Sequence, residues 1–444
     1  MSFSPQDLQD LASRGISVAE AERQLGLFVE APAPTELDRP CTVGDGILRL
    51  NESDQAKYER LGHEHLKLGN LTKFVPASGA ATRMFKDCLQ ALEQKDGMPQ
   101  GPVAELLTQA ERLAFYGVWK KALGVESDKA FAMRMATGHW RESLKTLVLS
   151  PGLNYSQVPK ALLPFHTVTA GARTALEEHL HEALQLSADH AHFTVSAEHR
   201  AGFEALLAEL NLPLAVSLSE QAPSTDTLAA ELDGSPFRDG TGRLVFRPGG
   251  HGALLHNLQT LANAGHSQVM IKNIDNISHS RLWPLALKWK RILVGILAEL
   301  GPQDLPLRVV GVVPNTGEAG GGPFWVRHAQ GNVTAQIVES AQVDLTAPVQ
   351  NKVFQSSTHF NPVDLVCRLT NKASKPFDLN VFRDPNAVFL SRKTHLGRPL
   401  RALELPGLWN GAMAQWRTIF VEVPGETFNP VKSVNDLLKP AHQP

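Results

Sequence analysis

An apolar stretch runs directly into a loop of very small residues that ends in a cation, LTKFVPASGAATRM over residues 71–84. Phe74 and Val75 favour a strand, whereas Ser78, Gly79, Ala80 and Ala81 carry so little side chain that backbone N–H groups can approach phosphate oxygens. Thr82 and Arg83 follow, and Arg83 supplies charge. Such a strand-to-helix junction suits an anionic ligand, and a nucleotide is the natural candidate; a plain tight turn is the competing reading.

The rest of the chain is compatible with a large α/β enzyme. Its 444 residues can bury a sizeable core, and 43% hydrophobic and 20% charged residues are ordinary for a globular protein. A formal charge of −2 offers no basic field for nucleic acid. The N-terminal stretch carries Gln6, Asp7, Asp10 and Glu20 instead of a basic, apolar signal, and no apolar run has the length of a membrane span. A cytoplasmic protein is expected, with no nucleic-acid or membrane partner. Cys41, Cys88 and Cys367 are too far apart for a thiolate metal motif and read as small buried residues.

Residues 5–29 space Leu8, Leu11, Ile16, Ala21, Leu25 and Phe28 as two short helices broken at Gly15, and a Pro/Thr-rich connector follows. We expect residues 1–45 to form this extension and 46–304 an α/β core. Within it, about 86–150 reads as a helical insertion of two or three helices. Strands at 192–196 and 267–275, with helices at 170–186, 198–210 and 252–264, predict a mostly parallel sheet. From 305 to 444 the composition turns β-rich and completes the same domain.

Four further segments carry chemistry. Lys160 follows Pro159, which pins it near a turn where it could reach a phosphate; a solvated loop lysine is the alternative. In RLVFRPGGHG a strand runs into Pro248 and Gly249, and Gly250, His251 and Gly252 then bring main chain and an imidazole against a flat group or phosphate, or simply cap a helix. Asn273, Asp275 and Asn276 end an apolar strand, where open α/β sheets place ligand chemistry, and their oxygens suit Mg²⁺. Asp275 is the expected metal ligand. Lys432 precedes a helix whose cap is Ser433 or Asn435. The histidine pairs 63/65, 179/181 and 190/192 are two apart, a spacing that does not share a helix face, so they are left out of the site. Asp378, Asn380 and Asn410 remain open as further metal or sugar contacts.

Taken in order, these motifs resemble the UTP-sugar pyrophosphorylases of the nucleotidyltransferase type, and more closely the family DUF4301. The correspondence is carried by Gly79 to Arg83, Pro159–Lys160, Gln221 in SEQAPSTDT, Gly250 to Gly252, Asn273 to Asn276, and Pro430 to Leu438. It implies a mixed, mostly parallel, Rossmann-like sheet of the GT-A-like type. It implies transfer of a nucleotidyl group, from UTP in particular, to a sugar 1-phosphate, with Mg²⁺ as cofactor. Arg83, Lys160 and Lys432 are then the catalytic cations. Ser78 to Thr82, Gln221 and Gly250 to Gly252 bind the nucleotide, and Asp275 holds the metal. A GT-A-type glycosyltransferase and a non-catalytic nucleotide-sugar sensor are the alternatives. The chain departs from the better-known enzymes at Ser78 and Ala81, where those have glycine and where a β-carbon is expected to crowd a phosphate. Some 75 residues also separate Arg83 from Lys160, more than in those enzymes. Motifs at 315–325, 357–367 and 403–416 have no assigned role.

Overall fold

A computed structural model describes residues 3–94, 97–317, 321–328, 330–360 and 364–444. Residues 318–320 and 361–363, within two of the unassigned motifs, lie outside the described residues. The fold is mixed α/β with mostly parallel sheet pairing, divided into two compact units. Among the described residues no helix is long and apolar enough to cross a membrane.

The first unit comprises residues 1–65, 219–270 and 292–423. Its sheet runs in the order Thr42–Val43, Gly46–Leu48, Arg417–Glu422, Leu307–Pro314, Leu365–Arg368, Gln268–Ile271. Val309 pairs in parallel with Ile419 and antiparallel with Val366. Leu307, Val309, Val310 and Val312 are all fully buried, the composition of a strand covered on both faces. A small antiparallel sheet joins Glu36–Pro40, Gly321–Arg327 and Val333–Glu339.

The N-terminal helices Pro5–Arg14 and Val18–Val29 form as their spacing predicts, with Ser4 closing a capping box and Gly15 taking the left-handed φ of +73° that ends the first helix. Leu11, Leu25 and Phe28 pack into a core with Leu228 and Leu403. Leu8, expected on that face, is exposed. Asp7 and Asp10 take inward positions, where Arg238 and Arg243 neutralise them.

The second unit comprises residues 66–218, 271–291 and 424–444. Strand Leu71–Pro76 pairs in parallel with His190–Val195, register Phe74 to His192. The 86–150 region is helical, but its described residues fall into five short helices, Lys86–Glu93, Gly101–Thr108, Tyr116–Ala122, Asp128–Ala136 and Trp140–Val148, instead of two or three, with Pro99, Gly124 and Gly138 in three of the four breaks. They enclose Phe85, Phe115, Trp119, Phe131 and Leu144 in one core, and the Trp119 indole N–H donates to the Ser143 carbonyl at 3.0 Å. Each such side chain contributes on the order of 1.5–3 kcal/mol.

Two other expectations need correction. The helix read over 170–186 begins only at Ala175, because Gly171 at φ +124° starts a strand, Gly171–Thr174, and Thr174 then caps the helix Ala175–Gln185. The strand read through RLVFRP shrinks to Phe246–Arg247, because Pro248 and Gly249 end it.

Glu182, on the helix Ala175–Gln185, meets three lysines: Lys290 Nζ at 2.9 Å, Lys272 Nζ at 3.1 Å and Lys73 Nζ at 3.4 Å. All four side chains are buried. Burial works against the ionised carboxyl, but the three ammonium groups outweigh it and hold Glu182 well below the usual carboxylate range. Lys73 also donates to the His179 carbonyl at 2.9 Å, while the His179 ring lies 3.1 Å from the Ile274 carbonyl. The cluster therefore ties the strand Leu71–Pro76 to the turn that carries Asp275.

Candidate active site

Strand Leu71–Pro76 delivers the small-residue loop to the surface of the second unit. Ala77 is still held to the sheet by its N–H bond to the Thr194 carbonyl at 2.9 Å. Ser78, Gly79 and Ala80 are exposed, and their N–H groups find no backbone acceptor among the described residues. A β-carbon built on Gly79 would meet nothing within 4 Å, so open space lies before this backbone. Ala81 corrects the expected crowding. Its methyl is fully buried in the hydrophobic core and its N–H donates to Val158 O at 2.9 Å, so it points away from any phosphate on the loop.

The long helical excursion returns the chain to this loop. Lys160 N–H reaches Gly79 O at 3.4 Å and Thr82 Oγ1 donates to Ser156 O at 2.9 Å. Segment 156–160 is thereby clamped along the loop. Exposed Arg83, at the end of a single 3-10 turn, forms no ion pair among the described residues.

The turn after strand Gln268–Ile271 is fixed from a third direction. Asn276 N–H bonds Asn273 O, Val431 N–H bonds Asp275 O at 2.9 Å, and Asn276 Oδ1 accepts from Asn429 N–H at 3.0 Å. These bonds place three charges together. Lys160 Nζ donates to Asp275 Oδ2 at 2.9 Å and to Val431 O at 2.6 Å, and Lys432 Nζ donates to the same Oδ2 at 3.2 Å. Asp275 and Lys160 are each 12% exposed, whereas Lys432 is 65% exposed. Burial raises the Asp275 carboxyl, but Lys160 and then Lys432 more than reverse this and leave it below its ordinary value. Two ammonium groups on one carboxylate leave a net positive charge, with Lys432 open to solvent. That charge favours an anion.

Asp436 was missed in the sequence. Its Oδ2 accepts the N–H groups of Lys432 at 2.8 Å and Ser433 at 2.7 Å, fixing the loop that presents Lys432. The S-x-x-D spacing of a capping box, Ser433 to Asp436, was the available signal.

Gln221, Gly250, His251 and Gly252 belong to the first unit. Gln221 Nε2 is buried without a hydrogen-bond partner among the described residues. The glycines have an internal reason to be there: a β-carbon at Gly252 would fall 1.6 Å from Pro406 O and one at Gly249 2.2 Å from Thr225 O, while Gly250 has φ +78°. His251 lies edge-on to Trp409 at 4.4 Å, and burial pushes its imidazole down to about 4, so it is neutral near pH 7. Also in this unit, Asp378 caps the Asn380 N–H, and Asn410 is buried. Thus Ser78 to Arg83, Lys160, Asp275 and Lys432 share one unit, and the remaining candidates occupy the other.

The family model described as "Domain of unknown function (DUF4301)" matches residues 4–304 and 302–443. The chain belongs to this family. Solved pyrophosphorylase structures share the fold of the DUF4301 chain. UDP-N-acetylglucosamine pyrophosphorylase from Trypanosoma brucei, in complex with inhibitor, matches 99% of this chain and 84% of its own at 13% identity and a TM-score of 0.54. UDP-glucose pyrophosphorylase from Leishmania major, in complex with UDP-glucose, matches 98% and 79% at 13% identity and a TM-score of 0.51. No curated protein matches the DUF4301 chain.

The C-terminal segment of the DUF4301 chain is anchored by buried histidines. His166 Nδ1 lies 2.9 Å from Glu178 Oε1, and its Nε2 lies 2.9 Å from His442 Nδ1. Burial pushes both His166 and His442 down to about 3 and raises Glu178 to about 7. The unfolded chain therefore binds two more protons than the folded one between the ordinary histidine value of 6.5 and about 3. Glu178 opposes this with one proton between about 7 and 4.5. Stability from these groups is greatest near pH 6.5: it slips slightly from there to about 7 as Glu178 ionises, and it falls with acidification, more steeply below 4.5 where the glutamate no longer compensates. Melting temperatures across this range should fall accordingly, and His442→Phe should flatten the slope; an unchanged slope in that variant contradicts the assignment.

Proposed function

We propose that the chain is a sugar-1-phosphate nucleotidyltransferase. The observation that carries this reading is the convergence of Lys160 and Lys432 on Asp275, in the same unit as a small-residue loop with free N–H groups and open space in front of it. A phosphate oxygen of the sugar 1-phosphate attacks the α-phosphorus of a nucleoside triphosphate, the bond to the bridging oxygen breaks, and pyrophosphate leaves with the electron pair. No protein nucleophile is required. The N–H groups of Ser78 to Ala80 hold phosphate oxygens, and Lys160, Lys432 and Arg83 offset the charge that develops on the transferring group. The likeness to UDP-sugar pyrophosphorylases favours UTP as the nucleoside triphosphate.

Among the described residues no three His, Cys, Asp or Glu side chains form a metal site. One carboxylate nevertheless fits the ordinary mode of Mg²⁺, which is held by one or two carboxylates together with substrate phosphates. Asp275 would be that ligand once a bound triphosphate supplies the negative charge that Lys160 and Lys432 cancel on this carboxylate, and the ion would supply further neutralisation of the phosphates. The sensor alternative drew on crowding at Ser78 and Ala81, and the buried methyl of Ala81 removes that reason at one of the two positions.

The test is pyrophosphate release by the full chain with each of the four common nucleoside triphosphates against a panel of sugar 1-phosphates, with and without Mg²⁺. Absence of turnover with every pair contradicts the proposal. A second prediction isolates the loop. A β-carbon at Gly79 meets no protein atom within 4 Å, so Gly79→Val should leave the melting temperature nearly unchanged, yet its branched side chain occupies the space before the loop and should weaken triphosphate binding by about 100-fold. Unaltered affinity would remove the loop from the site.

A further inference from the structure

The hairpin Phe389–His395 and Arg398–Glu404 of the first unit, which the proposed chemistry does not use, sets Arg392 directly opposite Arg401 across its two strands. Directly opposed side chains share one face of the pair, and like charges in that register repel each other. Among the described residues neither guanidinium forms an ion pair. The acids closest in the fold are engaged elsewhere: Glu231 accepts from Arg398 at 2.8 Å, and Asp233 Oδ1 accepts the Ser235 N–H at 2.9 Å and its hydroxyl at 2.7 Å.

Arg401 is held in place. Its Nη1 donates to the Phe28 carbonyl, and the guanidinium carbon sits over the Phe28 ring, 5.3 Å from its centre. The other guanidinium N–H groups of Arg401 find no acceptor among the described residues, and they are not sealed from solvent. Arg392 and Arg401 line a cavity of about 310 Å³ whose remaining walls are Leu232, Leu390 and Ser391, with no acidic residue among them. Leu232 is 51% exposed, so open apolar surface adjoins the two cations.

We propose that this cavity binds a small organic anion, a carboxylate or phosphate joined to an apolar body. The anionic group relieves the cross-strand repulsion and takes charge-assisted hydrogen bonds from a guanidinium whose orientation is already set, so little side-chain freedom is lost on binding. The apolar body covers Leu232 and Leu390. A cation meets two like charges and no carboxylate in these walls, and a neutral molecule leaves both charges uncompensated. The volume lies in the range of small-molecule sites.

The test is calorimetric titration of the full chain at low ionic strength with phenyl phosphate, benzoate and hexanoate, with inorganic phosphate, benzyl alcohol and benzylamine as comparisons. At least one of the first three should bind, at least about tenfold more tightly than any comparison compound. Arg392→Glu puts a carboxylate opposite Arg401 from an exposed position and so fills the site from within; it should weaken that ligand at least about tenfold without lowering the melting temperature. Arg401→Leu should weaken it similarly, and Arg392→Glu keeps the test decisive if Arg401→Leu fails to fold. Lys160→Ala should leave the affinity intact, which separates this cavity from the Asp275 cluster. No binding, a comparison compound bound as tightly, affinity unchanged in Arg392→Glu, or affinity lost in Lys160→Ala overturns the proposal.

Discussion

Lys160→Ala should reduce pyrophosphate exchange at least about 100-fold, corresponding to roughly 3 kcal/mol of transition-state stabilisation. The side chain is the inner of the two cations, held by Asp275 Oδ2 and Val431 O while Lys432 stays open to solvent. Its ammonium is thus pre-positioned and needs little reorganisation during the reaction. Arginine is not an adequate replacement, because a planar fork does not reproduce a point charge between one carboxylate oxygen and one carbonyl. Asp275→Asn should lose activity to a comparable degree and also lower stability, since it leaves the buried Lys160 ammonium without its counter-charge. Because the Asp275 carboxyl is held below its ordinary value of 3.8, its contribution persists across neutral pH and is lost only as the pH falls through the folded value. Exchange rates with melting curves for both variants provide the check. Near-normal exchange in both would dissolve the assignment.

Glu182→Gln should destabilise the protein by about 3–5 kcal/mol, more than any surface change. The substitution preserves shape and removes only charge, so Lys73, Lys272 and Lys290 lose the carboxylate they share inside the core. Since Glu182 stays ionised well below its ordinary value of 4.5, the native chain keeps this contribution down to strongly acid pH. Urea unfolding of the wild type and Glu182→Gln would show it. Adding Lys290→Met to Glu182→Gln should recover part of the loss by removing a stranded charge. A loss under about 1 kcal/mol would mean the cluster is not an energetic unit.

Local patterns were readable where a few adjacent residues decide the outcome. The break at Gly15, the strand at Phe74–Val75 and the cap at Ser433 each follow from backbone preference and periodicity within a few positions. Partners set by tertiary folding were not readable. Nothing near Asp7 or Asp10 announces Arg238 and Arg243, more than 200 positions away, so their inward placement has no local sign. The loop at 78–83 could be suspected of meeting a phosphate, but its clamp by residues 156–160 depends on how five intervening helices pack. Asp275 was recognised as chemically important from its place after a strand. That its oxygen receives both Lys160 and Lys432 is a property of three separate segments, and the Val431 carbonyl that completes the set carries no side-chain signature.

The order in which these pieces occur along the chain has a consequence during synthesis. Val431 and Lys432 emerge from the ribosome only after all of residues 292–423, which belong to the other unit, have been made. A nascent chain that already displays the 78–83 loop and Asp275 still lacks the carbonyl and the second ammonium, so the Asp275 cluster is completed only after the final strand of the first unit has been translated. Contacts of such long sequence separation also make the last docking step slow relative to helix formation.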